Sequence, residues 1–90
     1  MLKKRFKITD KYGIHARPAT TLVNICMKYE CDIMLSNFKK SVDMKSILEV
    51  MALGIKYNNV IEISCDGINE DLVLEEISNK IIELNLGRII

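Results

Sequence analysis

The chain's only histidine and only proline stand close together, in Gly13-Ile14-His15-Ala16-Arg17-Pro18. Histidine is the side chain that titrates unperturbed near neutral pH, and its ring nitrogens are also nucleophiles. Proline is favoured in the first turn of a helix. From Ala19 the apolar residues Ala19, Leu22, Val23 and Cys26 recur at helical spacing. His15 is therefore expected just before a helix over roughly 16–28, with Arg17 in its first turn. A helix start carries unpaired N–H groups and partial positive charge, which suits an anion. Pro18 fixes that turn and leaves the amides of Ala16 and Arg17 free to point at it. Arg17 adds a planar guanidinium that matches phosphate oxygens. A cation at this end of a helix is mildly unfavourable unless an anion joins it. A nucleophilic ring beside a phosphate cradle points to phosphoryl transfer through histidine, with His15 and Arg17 as the catalytic pair and Ala16 and Arg17 as the phosphate-binding pair.

A second segment bears on docking rather than chemistry. Ser46-Ile47-Leu48-Glu49 reads as a capping box, a serine N-cap with glutamate three residues on. A short helix is expected from there to about Leu53, stopped by Gly54. Ser46 needs no role beyond the cap, worth about 1 kcal/mol. If Val50 and Leu53 fill the core, Ile47, Leu48 and Met51 are left partly exposed as a docking patch.

The remaining elements follow from periodicity. Residues 2–9 alternate as a strand with Lys4, Phe6 and Ile8 on one face. Asp10 to Ile14 form a loop with Gly13 as a turn residue. Cys31, Ile33 and Leu35 mark a second strand, a turn near Asn37 leads to a short third strand around 40–42, and Ile61, Ile63 and Cys65 mark a fourth. Asp66-Gly67 is a turn, Asn69 is expected to cap the last helix, and Val73, Ile77, Ile81 and Leu84 are its inner stripe. The order βαββαβα, with every strand alternating, predicts an α+β two-layer sandwich whose sheet has one wet face and one face covered by helices.

Composition narrows the function classes. Ninety residues, 49% apolar and 28% charged, fit one globular domain over 1–90. A net charge of +1 gives no pull toward nucleic acid or membrane surfaces. The basic runs Lys3-Lys4-Arg5 and Lys39-Lys40 read as a strand edge and a turn. Three cysteines with no CxxC spacing argue against a disulfide framework or metal site and for a reducing compartment. No stretch approaches the roughly 18 apolar residues of a membrane span, and the N-terminus has no apolar run of a signal peptide. The chain is expected in the cytoplasm, without cofactor.

Gly-Ile-His-Ala-Arg-Pro-Ala resembles the active-site signature of the HPr family, the histidine-containing phosphocarriers of the bacterial phosphoenolpyruvate-dependent sugar phosphotransferase system. Lys45-Ser46-Ile47-Leu48-Glu49-Val50-Met51-Ala52-Leu53-Gly54-Ile55 is similar to that family's regulatory-serine segment. The two lie at the family's usual separation, and the similarity runs from about Phe6 to about Ile82. The resemblance implies an open-faced sandwich, four antiparallel strands covered on one face by three helices. It implies that Nδ1 of His15 takes a phosphoryl group from phosphorylated enzyme I and passes it to enzyme II A domains. It implies regulatory phosphorylation of Ser46 by an ATP-dependent HPr kinase/phosphorylase, and a catabolite-control transcription factor as a further partner. Docking would use Thr20, Asn24 and Met27 on the first helix with Ile47, Leu48 and Met51 on the second, and the protein would act as a monomer. The alternative is a regulatory binding module of the same fold, controlling a transcription factor, kinase or nitrogen-branch partner. Three positions depart from the family pattern: Tyr12 before Gly13, Phe38 in the hairpin turn where Asn-Gly is usual, and Glu49 in the docking helix.

Overall fold

A computed structural model describes residues 1–90. Its elements are β1 (Leu2–Ile8), α1 (Ala16–Cys26), β2 (Asp32–Ser36), β3 (Ser41–Asp43), α2 (Ile47–Ala52), β4 (Val60–Asp66), α3 (Glu70–Glu83) and β5 (Gly87–Ile89). The strands form one antiparallel sheet in the order β3-β2-β4-β1-β5. The four expected strands and three helices are all present; β5 adds a three-residue edge beside β1, with Phe6 opposite Ile89 and Ile8 opposite Gly87.

Alternation sets the register. On β1 and β4, Phe6 pairs with Ile61 and both are fully buried, while the next pair on that strand, Arg5 and Glu62, faces out and is joined by an ion pair at 3.1 Å. A one-residue slip would send Phe6 and Ile61 to water, so the hydrophobic pattern locks the pairing. The core is a single cluster in which Phe6, Ile8, Ile33, Leu35, Ile61 and Ile63 from the sheet meet Leu22, Val50, Val73, Ile77 and Ile81 from the helices. Cys26, Cys31 and Cys65 are buried free thiols within it, and burial pushes Cys26 and Cys65 up to about 12. No helix is long and apolar enough to cross a membrane.

Element ends depart from the sequence reading for local reasons. α1 stops at Cys26 because the next turn tightens: Lys28 and Tyr29 donate three residues back, to Ile25 and Cys26. Asn69 occupies the N-cap position of α3, yet its backbone is left-handed (φ 61°) and its side chain caps nothing. The Glu70 carboxylate instead accepts the Gly67 N–H at 3.3 Å. Leu84 is not part of the buried stripe of α3. The helix ends one residue earlier, Leu84 becomes its exposed C-cap, Asn85 turns the chain at φ 52°, and Leu86 fills the core instead. At the β2–β3 turn Phe38 takes φ 72°, where a bulky residue is uncommon. The Asn37 side chain accepts the N–H groups of Lys39 and Lys40, and the Phe38 ring lies 5.0 Å from the Arg5 guanidinium.

Candidate active site

His15 is the N-cap residue of α1. Its backbone is extended (φ −91°, ψ −178°), and its side chain caps no backbone N–H. Its carbonyl accepts the first intrahelical bond, from the Ala19 N–H at 3.0 Å. The amides of Ala16 and Arg17 come before that bond and have no helical partner. The first turn contains no acidic residue, so nothing in it neutralises the positive end of the helix.

The loop before His15 is built by Asp10 and Gly13. Asp10 Oδ1 accepts the Tyr12 N–H at 2.8 Å, an Asx turn. The Asp10 carbonyl accepts the Gly13 N–H at 2.9 Å, and the Asp10 N–H donates to the Leu86 carbonyl at 3.2 Å. Gly13 lies in the left-handed region (φ 67°), and Ile14 then donates its N–H to the Ile55 carbonyl at 3.2 Å. The chain therefore enters α1 held on both sides.

His15, Arg17 and Pro18 line one shallow cavity of ≈ 160 Å³ together with Asp10 and Leu84. The imidazole is partly exposed, and Nε2 lies 3.5 Å from Asp10 Oδ2. Tyr12, exposed, forms a T-shaped pair with the imidazole, ring centroids 5.7 Å apart and planes at 75°; Lys11 Nζ lies 5.0 Å from the Tyr12 ring centroid. Arg17 is exposed, and its carbonyl accepts the Thr21 hydroxyl at 3.2 Å. A ring with an unoccupied nitrogen, two free amides and an unpaired guanidinium can together receive and hold a phosphoryl group.

Ser46 starts α2, outside that cavity. Its Oγ accepts the Glu49 N–H at 3.3 Å, while its own N–H donates to the Asp43 carbonyl at 3.1 Å. The capping box is thus half formed: the partner meant for the Glu49 side chain is taken by Asp43. Val50 is 1% exposed and Leu53 packs against the core, whereas Leu48 is 80% exposed and Ile47 and Met51 are also exposed. On α1, which packs against α2, Thr20, Asn24 and Met27 are exposed. The Thr20 hydroxyl is committed to the Ala16 carbonyl at 2.8 Å.

Asp10 and Leu84 were missed as site residues. Asp10 had a readable signal, an acid two residues before an Asx-turn N–H in a loop leading to the histidine. Leu84 had none, because its position depends on where α3 stops.

Residues 2–83 match the family model described as "PTS HPr component phosphorylation site". The chain is similar to the histidine-containing phosphocarrier protein of Mycoplasma: 36% identity over 96% of this chain and 98% of that one, with a TM-score of 0.93. It is similar to the phosphocarrier protein HPr of Bacillus anthracis, at 30% identity over 88% of this chain and 94% of that one, TM-score 0.80. It is also similar to Crh, the catabolite repression containing protein of Bacillus subtilis, described as a swapped, intertwined dimer, at 26% identity over 92% and 95% of the two chains, TM-score 0.72.

Proposed function

This chain belongs to the HPr family of phosphotransferase-system phosphocarriers, and from that membership we propose that His15 is its phosphoryl-accepting residue. It takes the group from phosphorylated enzyme I, itself charged by phosphoenolpyruvate, and hands it to enzyme II A domains in the cytoplasm. The observation that carries this reading is the shared cavity: His15 and Arg17 line it together at the open start of α1. Nδ1 attacks the phosphorus, the free amides of Ala16 and Arg17 receive its oxygens, and the Arg17 guanidinium balances charge in transit. The phosphoramidate bond is labile, which suits a group that must be passed on.

Docking is assigned to Thr20, Asn24 and Met27 on α1 and Ile47, Leu48 and Met51 on α2. Support comes from their exposure while Val50 and Leu53 supply the core contacts of α2. The reading takes the protein as a monomer; sedimentation at working concentration tests that point, since a relative is a swapped dimer.

The test of the carrier role is transfer from phosphoenolpyruvate through a general enzyme I. The wild type is expected to form an acid-labile, base-stable phosphoprotein, and His15→Ala none. Phosphate acceptance by His15→Ala at the wild-type rate would refute the assignment. A second reading, regulation through Ser46 by an ATP-dependent HPr kinase/phosphorylase with a catabolite-control transcription factor as reader, draws on the similarity to Crh and on Ser46 preceding the exposed Ile47 and Leu48. Incubation with such a kinase and ATP tests it: incorporation into the wild type and none into Ser46→Ala is expected.

A further inference from the structure

The edge of the His15 ring that carries Nε2 has a carboxylate beside it. We propose that Asp10 is a positioning residue for the histidine: it holds the ring proton on Nε2 and so leaves the Nδ1 lone pair free for phosphorus. The proposal rests on the carrier reading of His15.

A neutral imidazole carries one N–H, and the partner of one nitrogen decides which nitrogen bears it. Asp10 Oδ2 is 3.5 Å from Nε2, slightly long for a hydrogen bond. Catalytic hydrogen bonds are often long in the free protein and tighten when the reacting partner arrives. Asp10 is not free to swing away. Its other carboxylate oxygen accepts the Tyr12 N–H, its carbonyl accepts the Gly13 N–H, and its own N–H donates to Leu86. Its side chain is the more sheltered of the pair, 21% exposed against 41% for His15, so its charge acts on the ring through less water than a surface carboxylate's would. The Tyr12 ring flanks the imidazole in a T-shaped arrangement, with centroids 5.7 Å apart. The His15 side chain has no capping bond to an α1 amide, which leaves Nδ1 uncommitted.

The transfer step balances without a proton leaving. The Nδ1 lone pair forms a bond to phosphorus. The phosphorus–nitrogen bond of a phosphohistidine donor breaks, and its electron pair stays on the donor's nitrogen. The ring becomes cationic with its proton still on Nε2, facing Asp10, whose carboxylate stabilises that charge. Handing the group on reverses the same movements.

Asp10→Asn separates orientation from folding. Its amide oxygen still accepts the Tyr12 N–H, so the turn is kept. The amide NH₂ then takes the place of Oδ2 and donates to Nε2, which favours the proton on Nδ1 and occupies the nucleophile. Nitrogen-15 NMR of the His15 ring in the neutral form is expected to show the Nε2–H tautomer in wild type and a shift toward Nδ1–H in Asp10→Asn. Acceptance of phosphate from enzyme I should slow by at least about tenfold, at the lower end of what losing an orienting partner costs, with enzyme I binding unchanged. If Asp10→Asn does not fold, Asp10→Ser, whose hydroxyl also accepts the Tyr12 N–H, carries the same comparison, with a mixed tautomer expected. An unchanged tautomer in the folded variant overturns the proposal, whatever the rate does. A shifted tautomer in a protein whose wild type takes no phosphate would sink the carrier reading and leave the orientation by Asp10 standing.

Discussion

Gly13 and Ile55 approach so closely that a Cβ on Gly13 would sit 2.1 Å from the Ile55 carbonyl oxygen. Main chain meets main chain there, so no side chain can move aside. The same carbonyl accepts the Ile14 N–H, and His15 follows immediately. Gly13→Ala is expected to combine left-handed strain with a backbone clash and to cost about 2–4 kcal/mol in urea unfolding. Phosphate acceptance should fall as well, even where the variant is fully folded, because the loop that aims His15 must shift. A stability loss under about 0.5 kcal/mol would show that this loop is not held as described.

Arg17→Ala is expected to slow phosphate acceptance far more than it lowers stability. The side chain is exposed and makes no ion pair, so its removal should cost about 0.5 kcal/mol or less. It even relieves a cation at the positive end of α1. Stopped-flow transfer beside a thermal melt decides this. Normal transfer with a clearly lowered melting temperature would make Arg17 structural.

Ser46→Asp is expected to keep the fold and slow acceptance from enzyme I. Aspartate caps a helix about as well as serine, and Ser46 Oγ supplies a single bond, to the Glu49 N–H. Any loss of rate must then come from charge beside Ile47 and Leu48, both exposed. Glu49, exposed and in the first turn of α2, already carries one negative charge there and will blunt the contrast. Equal rates at equal folding would leave Ser46 a helix cap only.

The Lys28–Tyr29–Glu76 cluster joins the end of α1 to α3 and should give stability a pH signature. Hydrogen bonding from Lys28 (2.8 Å) and then from the Tyr29 hydroxyl holds the Glu76 carboxyl below its ordinary value of 4.5. A lowered carboxyl pKa means stability that is complete above 4.5 and is lost as pH falls through the lower folded value. Hydrogen bonding to Glu76 raises Lys28 above 10.5 and Tyr29 above 10.0, so their share is complete below pH 10 and is lost on the alkaline side. The melting-temperature gap between wild type and Glu76→Gln should be widest between these limits and shrink toward both ends. A gap that does not change with pH would mean that the cluster is screened to nothing.

Much of this architecture was legible because burial follows period. Phe6, Ile8, Ile33, Leu35, Ile61 and Ile63 alternate in the chain and are all buried in the sheet. His15 and Arg17 were legible because Pro18 and the helical spacing after it place a helix start beside them. What escaped was set by tertiary geometry. β5 is three residues long, too short to show alternation, and exists because Gly87 lets it lie against β1: a Cβ there would meet the Lys7 carbonyl at 2.7 Å. Leu84 fits the apolar stripe of α3 by spacing, but the left-handed turn at Asn85 ends the helix before the stripe reaches it. Asn69 has the chemistry of a cap, but β4 runs through Asp66, the turn falls on Ile68 and Asn69, and Asn69 is left-handed there with no side-chain capping bond. The 3.5 Å approach of Asp10 Oδ2 to His15 Nε2 is a distance that no spacing encodes.

The three thiols described among the core residues have a practical use. Cys26, Cys31 and Cys65 are buried, and burial raises the pKa of each. A thiol reagent needs both access and thiolate, so the intact protein offers it neither. Modification must wait for the molecule to open, and its rate then follows the population of opened states. Cys31 precedes β2, Cys65 lies within β4, and Cys26 ends α1. Identifying which sulfur is capped first, by mass spectrometry under mild denaturant, would make the native cysteines a built-in clock for the order in which sheet and helix let go, with no probe added.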